Sequence, residues 1–379
     1  MKVSRRGAIA PFFVMEVMKA AARRAAAGGD VLHMEVGQPS TPAPRQVLEA
    51  ARRALDADRL GYTEALGIAP LREAIARHYR AYYGIAVPAE RIVVTTGSST
   101  AFLLAFLAAF DVADRVAVAE PGYPAYRNIM RALGIEPVAL PARAERRFHL
   151  TADLLDGVVA LRGVLVASPA NPTGTMLGRA ELQALVDVAR QRDIRLVVDE
   201  IYHGITYGGR AETVLALTDD AVVINSFSKY FSMTGWRLGW MVLPDDLLRQ
   251  VECITQNFFI SPPSLSQVAA VAAFEAYDAL DANVARYAAN RALLLNELPA
   301  AGFDRLAPAD GAFYIYADVT RFTNDAQDFC RRMLDEIGVA ATPGIDFDPP
   351  EGHRFVRFSF AGATADMAEA GRRLKRWTK

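Results

Sequence analysis

The chain has 379 residues, 52% of them hydrophobic, with 42 basic and 43 acidic side chains. A nearly neutral chain offers no broad positive field to hold a nucleic-acid backbone, so composition argues against nucleic acid as the main partner. The length exceeds that at which a single hydrophobic core usually keeps growing, which favours two domains.

The N-terminal segment and the cysteines bear on location. Residues 1–30 start with basic side chains, and their short apolar stretch soon meets charges, which is typical of an arm leading into an amphipathic helix and not of a signal peptide. The apolar run at 100–110 is too short to cross a bilayer. Cys253 and Cys330 lie far apart without metal-like spacing. We therefore expect a cytoplasmic protein with no membrane partner and no metal.

Short β-branched runs alternate with helical patterns over the first two thirds of the chain. The runs occupy 91–97, 115–120, 163–168, 194–200 and 221–228. This alternation predicts an α/β fold with a mostly parallel sheet sandwiched by helices. Ligands of such sheets bind beyond the carboxyl ends of the strands. The residues at those ends are Gly97, Glu120, Ser168, Asp199 and Ser226.

The pattern changes after Pro262. Two alanine-rich helical stretches, at 264–280 and 283–298, are followed by a strand at 311–319 and then by a mixture of helix and strand. We therefore predict a large domain over 45–280, and a small α+β domain formed by 281–379 together with the N-terminal arm at 1–44.

Three of the polar residues near the strand ends have competing interpretations. Ser98 and Ser99 follow Gly97 before an apolar helix, so they are either simple caps or part of a phosphate site at the helix start. Asn171, in "SPANPTG", is a turn former or a ligand-binding amide.

Asp199 ends an uninterrupted apolar run, so its carboxylate is expected to be buried and to need a partner. Glu200 is the alternative inward residue, with Asp199 then serving only to end the strand.

Lys229 stands in "SFSKYFSMTGWRLGW", after a strand that looks buried and among aromatic neighbours. Most lysines are solvated, but a desolvated amine has a depressed pKa and becomes a nucleophile able to form a Schiff base. Arg237, eight positions later, adds donors suited to a phosphate dianion, together with Ser226 and Ser228.

These motifs, in this order, resemble the fold-type I pyridoxal-phosphate enzymes, in particular the class I/II aminotransferases. The resemblance covers nearly the whole chain. Its motifs are "VGQPS", "GYTEALGIAPLREAIARHY", "VTTGSSTAF", "EPGYPAY", "SPANPTG", "VVDEIY", "SFSKYFSMTGWRLGW" and "FVRFSFA". It implies an aspartate-aminotransferase-like fold with a seven-stranded sheet, the cofactor pyridoxal 5′-phosphate and a ping-pong exchange between an L-amino acid and a 2-oxo acid.

The resemblance also implies roles for individual residues. Lys229 would hold the cofactor aldehyde as a Schiff base and then shuttle the substrate proton. Asp199 would pair with the pyridine nitrogen, and Asn171 and Tyr202 with the ring oxygen. Tyr123 would stack on the ring; otherwise it is a core residue.

Phosphate contacts are implied for the amides of Ser98 and Ser99, the Ser226 hydroxyl and Arg237, with Ser228 as a further candidate. Tyr62 would reach the phosphate of the neighbouring subunit, which makes the active unit a homodimer.

Arg357 would bind the substrate α-carboxylate, helped by Asn171 and the backbone of Gly37. The alternative is that Arg357 is an ordinary surface residue of a strand. For the side chain we expect a neutral or aromatic pocket, since no second cation is evident near Ser99 and Thr100. Its candidate lining is Phe12, Phe13, Tyr62, Tyr123 and Phe259.

Two other functions fit less well. A pyridoxal-phosphate carbon–sulfur β-lyase often shows "HNP" where this chain has "ANPTG". A regulator with an aminotransferase-like domain would need a DNA-binding segment ahead of a family pattern that here starts almost at once.

Overall fold

The computed structural model describes all residues from 1 to 379. Its strands are β1 (Leu32–His33), β2 (Ile92–Thr95), β3 (Arg115–Glu120), β4 (Glu136–Pro141), β5 (Leu161–Ala167), β6 (Arg195–Asp199), β7 (Val222–Ser226), β8 (Gly239–Val242), β9 (Tyr314–Asp318), β10 (Val339–Ala340), β11 (Thr342–Pro343) and β12 (Phe355–Ser359). Its α-helices are α1 (Phe13–Ala26), α2 (Arg45–Ala57), α3 (Ala69–Tyr83), α4 (Gly97–Ala109), α5 (Pro124–Leu133), α6 (Arg179–Gln191), α7 (Asp245–Phe258), α8 (Ser264–Val271), α9 (Tyr277–Ala300), α10 (Ala326–Ile337) and α11 (Thr364–Trp377).

Seven strands form the central sheet, in the order β2-β8-β7-β6-β5-β3-β4. Every neighbouring pair from β7 to β4 is parallel, and β8 runs antiparallel to both of its neighbours. All residues of β2, β7 and β8 are buried, because helices cover both faces of the sheet. The predicted mostly parallel sheet is confirmed.

Successive residues of a strand enter separate cores on the two faces. Val197 belongs to a cluster of 20 buried residues that includes side chains of α4, α5 and α7. Val198 belongs to a cluster of 68 residues that extends into the C-terminal part of the chain. This two-residue period makes β6 apolar without interruption and places its last residue, Asp199, at the edge of a fully packed sheet.

Two small sheets hold the ends of the chain together. The antiparallel sheet β11-β12-β9 carries Arg357, and the parallel pair β1-β10 joins residues 32–33 to residues 339–340. The segment before residue 44 therefore pairs with the C-terminal part of the chain. The division into 45–280 and 1–44 plus 281–379 stays a prediction.

The predicted long helix at 264–280 is wrong in its bounds. The structure has α8, a 3-10 turn at Ala272–Glu275, and then α9. No glycine or proline marks this break. Tertiary hydrogen bonds fix the start of α9 instead, since the Tyr277 hydroxyl lies 2.8 Å from His78 Nδ1 and Asp281 accepts from the Tyr230 hydroxyl at 2.6 Å.

At the N-terminus, the predicted amphipathic helix is confirmed as α1, which buries Val14 and Ala21. None of the helices combines the length and the apolar character needed to cross a bilayer.

Candidate active site

The carboxyl ends of the central strands open into a cavity of about 360 Å³. Eleven of the thirteen predicted site residues line it; they are Gly37, Ser98, Ser99, Tyr123, Asn171, Asp199, Tyr202, Ser228, Lys229, Arg237 and Arg357. The other two, Ser226 and Tyr62, do not. The structure therefore brings together side chains that are up to 320 positions apart in sequence.

Asp199 faces the cavity from the end of β6 and is 3% exposed. Its Oδ1 accepts from the Ile201 amide at 2.9 Å, and its Oδ2 accepts from the hydroxyl of Tyr126. Burial raises the pKa of Asp199 to about 6, although both hydrogen bonds oppose the rise. A carboxylate held in this way is ready for a cationic partner in the cavity.

Glu200 is also buried but does not line the cavity. It accepts from the Val214 amide at 2.9 Å, and burial raises its pKa to about 8. Both acidic residues therefore lie inside the protein, and Asp199 alone faces the cavity.

Lys229 extends into the same cavity from the turn after β7. Its Nζ donates to the carbonyl of Gly37 at 2.6 Å. Burial, followed by the positive charge of Arg357, lowers the pKa of the amine to about 8. A substantial fraction of Lys229 is therefore neutral, and nucleophilic, near physiological pH.

Arg357 is 3% exposed, so the surface interpretation of this residue is wrong. Its Nη1 donates to Asn171 Oδ1 at 2.8 Å and its Nη2 to the Glu35 carbonyl at 2.5 Å. The guanidinium carbon lies 4.4 Å and 4.8 Å from the ring centroids of Tyr314 and Phe347. Its Nε is buried without a partner, which leaves a donor for a ligand.

Two tyrosines that sequence reasoning missed complete this wall. Tyr126 holds Asp199, and the Tyr314 hydroxyl lies 2.7 Å from that of Tyr202. A Cβ at Gly37 would lie 1.8 Å from the Tyr314 hydroxyl, so only glycine fits there. Tyr126 stands in the motif "EPGYPAY" and Tyr314 in the predicted strand at 311–319, but only the folded structure shows that their side chains point into the cavity.

The start of α4 provides a site for an anion. The first amides of an α-helix have no partner within the helix, and Ser98 and Ser99 lie in this first turn. Gly97 has φ +74°, and a Cβ there would lie 2.4 Å from Arg237 Nη2. The guanidinium therefore packs directly beside the helix start.

Ser226 does not line the cavity, and its role as a phosphate ligand stays a prediction. It is 1% exposed, and its hydroxyl donates to the Leu238 carbonyl at 3.1 Å and lies 3.0 Å from Ser228 Oγ. Since β7 is covered on both sides, the hydroxyl that reaches the cavity is that of Ser228. Ser226 supports Ser228 from behind.

The apolar side of the cavity differs in part from the expected lining. Phe12 and Tyr123 are present, with ring centroids 5.8 Å apart in an edge-to-face arrangement. Phe13, Tyr62 and Phe259 are absent from the lining. Their place is taken by Val14, Met15, Met18, Val36 and Ile201. Lys229, Arg237 and Arg357 are the only cations among the lining residues.

A larger groove, of about 920 Å³, lies at the opposite edge of the sheet. Its charges pair with one another, as in the contacts Arg91–Asp219 and Arg195–Asp246. None of its side chains is a buried polar group without a partner. The smaller cavity is therefore the candidate active site.

Comparison with known proteins identifies the class. The family model for aminotransferase class I and II matches residues 29–374, and the chain belongs to this family. It is 53% identical to the valine–pyruvate aminotransferase of Mycobacterium tuberculosis, over 99% of this chain and 98% of that protein.

Solved structures agree with this assignment. A crystal structure of an aminotransferase from Mycobacterium tuberculosis superimposes with a TM-score of 0.98 at 52% identity, covering 100% of this chain and 99% of that one. One of a putative aminotransferase from Silicibacter pomeroyi gives 0.95 at 51% identity, with the same coverage. The fold is therefore the aspartate-aminotransferase-like fold that was expected.

The protein is thus an aminotransferase, an enzyme that moves an amino group between an amino acid and a 2-oxo acid. These comparisons do not favour the carbon–sulfur lyase.

Proposed function

We propose that the protein uses pyridoxal 5′-phosphate to transfer the amino group of a neutral aliphatic L-amino acid to pyruvate or a similar small 2-oxo acid. One observation carries this proposal. The amine of Lys229, the carboxylate of Asp199 and the guanidinium of Arg357 meet in a cavity that has one apolar side, formed by α1 with Val36 and Ile201. The name of the valine–pyruvate aminotransferase, 53% identical, supports this choice of substrates.

The residues present fit the cofactor. Its phosphate would bind at the first turn of α4, between the amides of Ser98 and Ser99 and the side chains of Ser228 and Arg237. Asp199 would face the ring nitrogen, because its carboxylate is buried at the cavity and burial raises its pKa despite the charge of Lys229. Asn171, Tyr202 and Tyr123 lie on the same cavity and would hold the ring oxygen and the ring face.

When bound, pyridoxal phosphate supplies an aldehyde for the amino group and a conjugated ring that accepts the electrons left on the substrate Cα. The neutral amine of Lys229 takes the proton from the substrate Cα, and its lowered pKa keeps it available for this step. Asp199, whose buried carboxylate faces the cavity, would keep the ring nitrogen of the bound cofactor protonated.

Arg357 binds the substrate α-carboxylate. Asn171 and the Glu35 carbonyl fix its guanidinium, and the rings of Tyr314 and Phe347 exclude water from it. A fixed carboxylate determines which bond of the Cα lies perpendicular to the cofactor ring. The positions of Arg357 and Lys229 thus select removal of the Cα proton.

The substrate side chain would lie against α1. Val14, Met15 and Met18 contribute apolar surface, together with Val36 and Ile201. No further cation lines the cavity to pair with a distal carboxylate. We therefore expect aspartate and glutamate to be poor donors.

We propose further that the enzyme is a cytoplasmic homodimer. Tyr62 is 84% exposed and outside the cavity of its own chain, as expected for a residue that serves the partner's site. Its loop lies beside the 258–264 turn, where the Ser264 hydroxyl donates to the Gly61 carbonyl at 2.5 Å. Phe258 and Ile260 are exposed on that turn and offer apolar surface for an interface.

A donor panel tests the substrate assignment. The protein, loaded with pyridoxal phosphate, is assayed with valine, leucine, phenylalanine, aspartate and glutamate as donors and pyruvate as acceptor, and kcat/KM is measured from the alanine formed. Valine and leucine should be the best donors. A preference for aspartate or glutamate would refute the neutral pocket, and a preference for phenylalanine would refute the aliphatic one.

A further inference from the structure

Helix α1 begins without a cap of its own. The sequence before it, "IAPFF", contains no serine, threonine, aspartate or asparagine, and Phe12 at the N-cap position makes no side-chain hydrogen bond. The first amides of a helix need acceptors, and a missing cap weakens the first turn. This first turn matters because Phe12, Val14 and Met15 line the cavity.

The missing acceptor comes from residue 346, which is 332 positions away. Oδ2 of Asp346 accepts from the Val14 amide at 3.2 Å, and the carboxylate is 2% exposed. The amides of Val14 and Phe13 both oppose the rise in the pKa of Asp346 that burial causes. The carboxylate of Asp346 therefore caps the N-terminus of α1, although it is remote in sequence.

The loop that carries Asp346 is itself tied to two other walls of the cavity. Arg127, on α5, donates to the Asp346 carbonyl at 2.5 Å, and the Gly122 amide donates to the Phe347 carbonyl at 3.0 Å. The ring of Phe347 lies against the guanidinium of Arg357. One short loop thus connects the start of α1, the turn before Tyr123 and the carboxylate-binding arginine.

We infer that Asp346 is a positioning residue that fixes the apolar wall of α1 at a set distance from Arg357 and thereby determines which aliphatic side chains bind. This inference rests on the proposed function, because it assigns the substrate side chain to the α1 wall. Asp346 touches no reacting atom and acts through Val14 and its neighbours. The affinity for a substrate whose side chain is larger than that of alanine depends most on this wall being held in place.

The test compares Asp346→Ala with Asp346→Asn and with a matched control. Asparagine caps helices as well as aspartate does, so Asp346→Asn should retain the capping of α1. Asp325 is the control, since it caps α10 by accepting from the amides of Gln327 and Asp328 at 3.1 and 3.0 Å and does not line the cavity. Asp325→Ala removes a cap of the same chemistry elsewhere.

Hydrogen exchange of α1 is measured on the cofactor-loaded variants. Loss of a cap corresponds to a change of roughly two- to thirtyfold in local opening. Asp346→Ala should accelerate exchange in α1 by this amount, Asp346→Asn should stay close to the wild type, and Asp325→Ala should affect α10 alone. Unchanged exchange of α1 in Asp346→Ala would overturn the inference.

The second measurement is the KM for valine and for alanine with 2-oxobutyrate as common acceptor. Each methyl group that loses its apolar contact weakens binding by about fourfold. In Asp346→Ala the ratio of the valine KM to the alanine KM should therefore rise about fourfold or more, while Asp325→Ala leaves it unchanged. An equal rise in both KM values, or the same rise in the control, would contradict a role in specificity. If the wild-type enzyme uses neither donor, the proposed function fails, and the exchange measurement still decides whether Asp346 positions α1.

Discussion

The hydroxyl of Tyr126 donates a hydrogen bond to Oδ2 of Asp199, so a residue of α5 holds the carboxylate at the end of β6. This bond lowers the pKa of Asp199 against the effect of burial. In Tyr126→Phe the pKa of Asp199 should therefore rise above about 6, because the hydrogen bond that favours the charged carboxylate is lost. The affinity of the apoprotein for pyridoxal phosphate is followed by fluorescence titration. As the pH is lowered, this affinity should begin to fall at a higher pH in Tyr126→Phe than in the wild type.

Tyr207→Phe is the control for this prediction. It removes a hydroxyl that donates to the Ala312 carbonyl at 2.7 Å and does not line the cavity. Its cofactor affinity should follow the wild-type pH dependence. An identical pH dependence in Tyr126→Phe would show that the hydrogen bond does not govern the ionisation of Asp199.

Asp199→Asn tests the cost of the buried carboxylate. The folded state raises the pKa of Asp199 from 3.8 to about 6, so it binds this proton more tightly than the unfolded state does. The associated stability is fully present below about pH 4 and is lost as the pH rises through 6, and at pH 8 the loss reaches at most about 3 kcal/mol. The Asn variant of the apoprotein should therefore melt above the wild type at pH 8 and level with it at pH 4.

Calorimetry of the cofactor-free proteins at pH 4, 6 and 8 measures this difference. Asp187→Asn, on the exposed side of α6, controls for the loss of a carboxylate as such. A difference in melting temperature between Asp199→Asn and the wild type that is equal at all three pH values would contradict the prediction that ionisation of Asp199 destabilises the apoprotein.

Arg357→Lys should weaken binding of the α-carboxylate. Lysine keeps the charge but loses the planar fork that contacts Asn171 and the Glu35 carbonyl. The kcat/KM for the amino acid and that for the oxo acid should each fall by roughly 30- to 5,000-fold, equivalent to about 2–5 kcal/mol, because both substrates carry this carboxylate. Steady-state kinetics of the two half-reactions should show parallel losses. A loss confined to one substrate would argue against a common carboxylate site.

The homodimer predicts complementation between two inactive variants. Tyr62→Ala and Lys229→Ala are mixed under conditions that allow subunit exchange. If Tyr62 serves the partner's site, each heterodimer has one site with both defects and one with neither. Activity per heterodimer should then reach about half that of the wild-type dimer. The absence of recovery after verified exchange would place Tyr62 in the site of its own subunit or in another role.

Local patterns in the sequence predicted five of the seven strands of the central sheet, but not β4 and β8. The β-branched runs that became β2, β3, β5, β6 and β7 are long enough to be recognised. Asp199 at the end of one buried strand and Lys229 in the turn after another were noticed for this reason, and the resemblance supplied their roles. The break before α9 has no local signal, because hydrogen bonds to His78 and Tyr230 set it.

The residues that support the site were harder to predict. Tyr126 and Tyr314 act through contacts that span 73 and 112 positions, and Asp346 caps a helix at the other end of the chain. The resemblance assigned both Ser226 and Ser228 to the phosphate site, and Ser226 pairs with Gly239 of the adjoining β8 while Ser228 lines the cavity. Only the packed structure distinguishes Ser226 from Ser228.

The most direct test of the central claim is a single half-reaction. The protein loaded with pyridoxal phosphate is mixed with L-valine in the absence of any oxo acid, and its absorbance is followed together with the products. The aldehyde form of the cofactor should convert to the amine form with one equivalent of 2-oxo acid released per site, and pyruvate should reverse the change and yield alanine. Lys229→Ala should convert slower by several orders of magnitude. Valine that leaves the aldehyde form unchanged, or wild-type conversion rates in Lys229→Ala, would contradict the account.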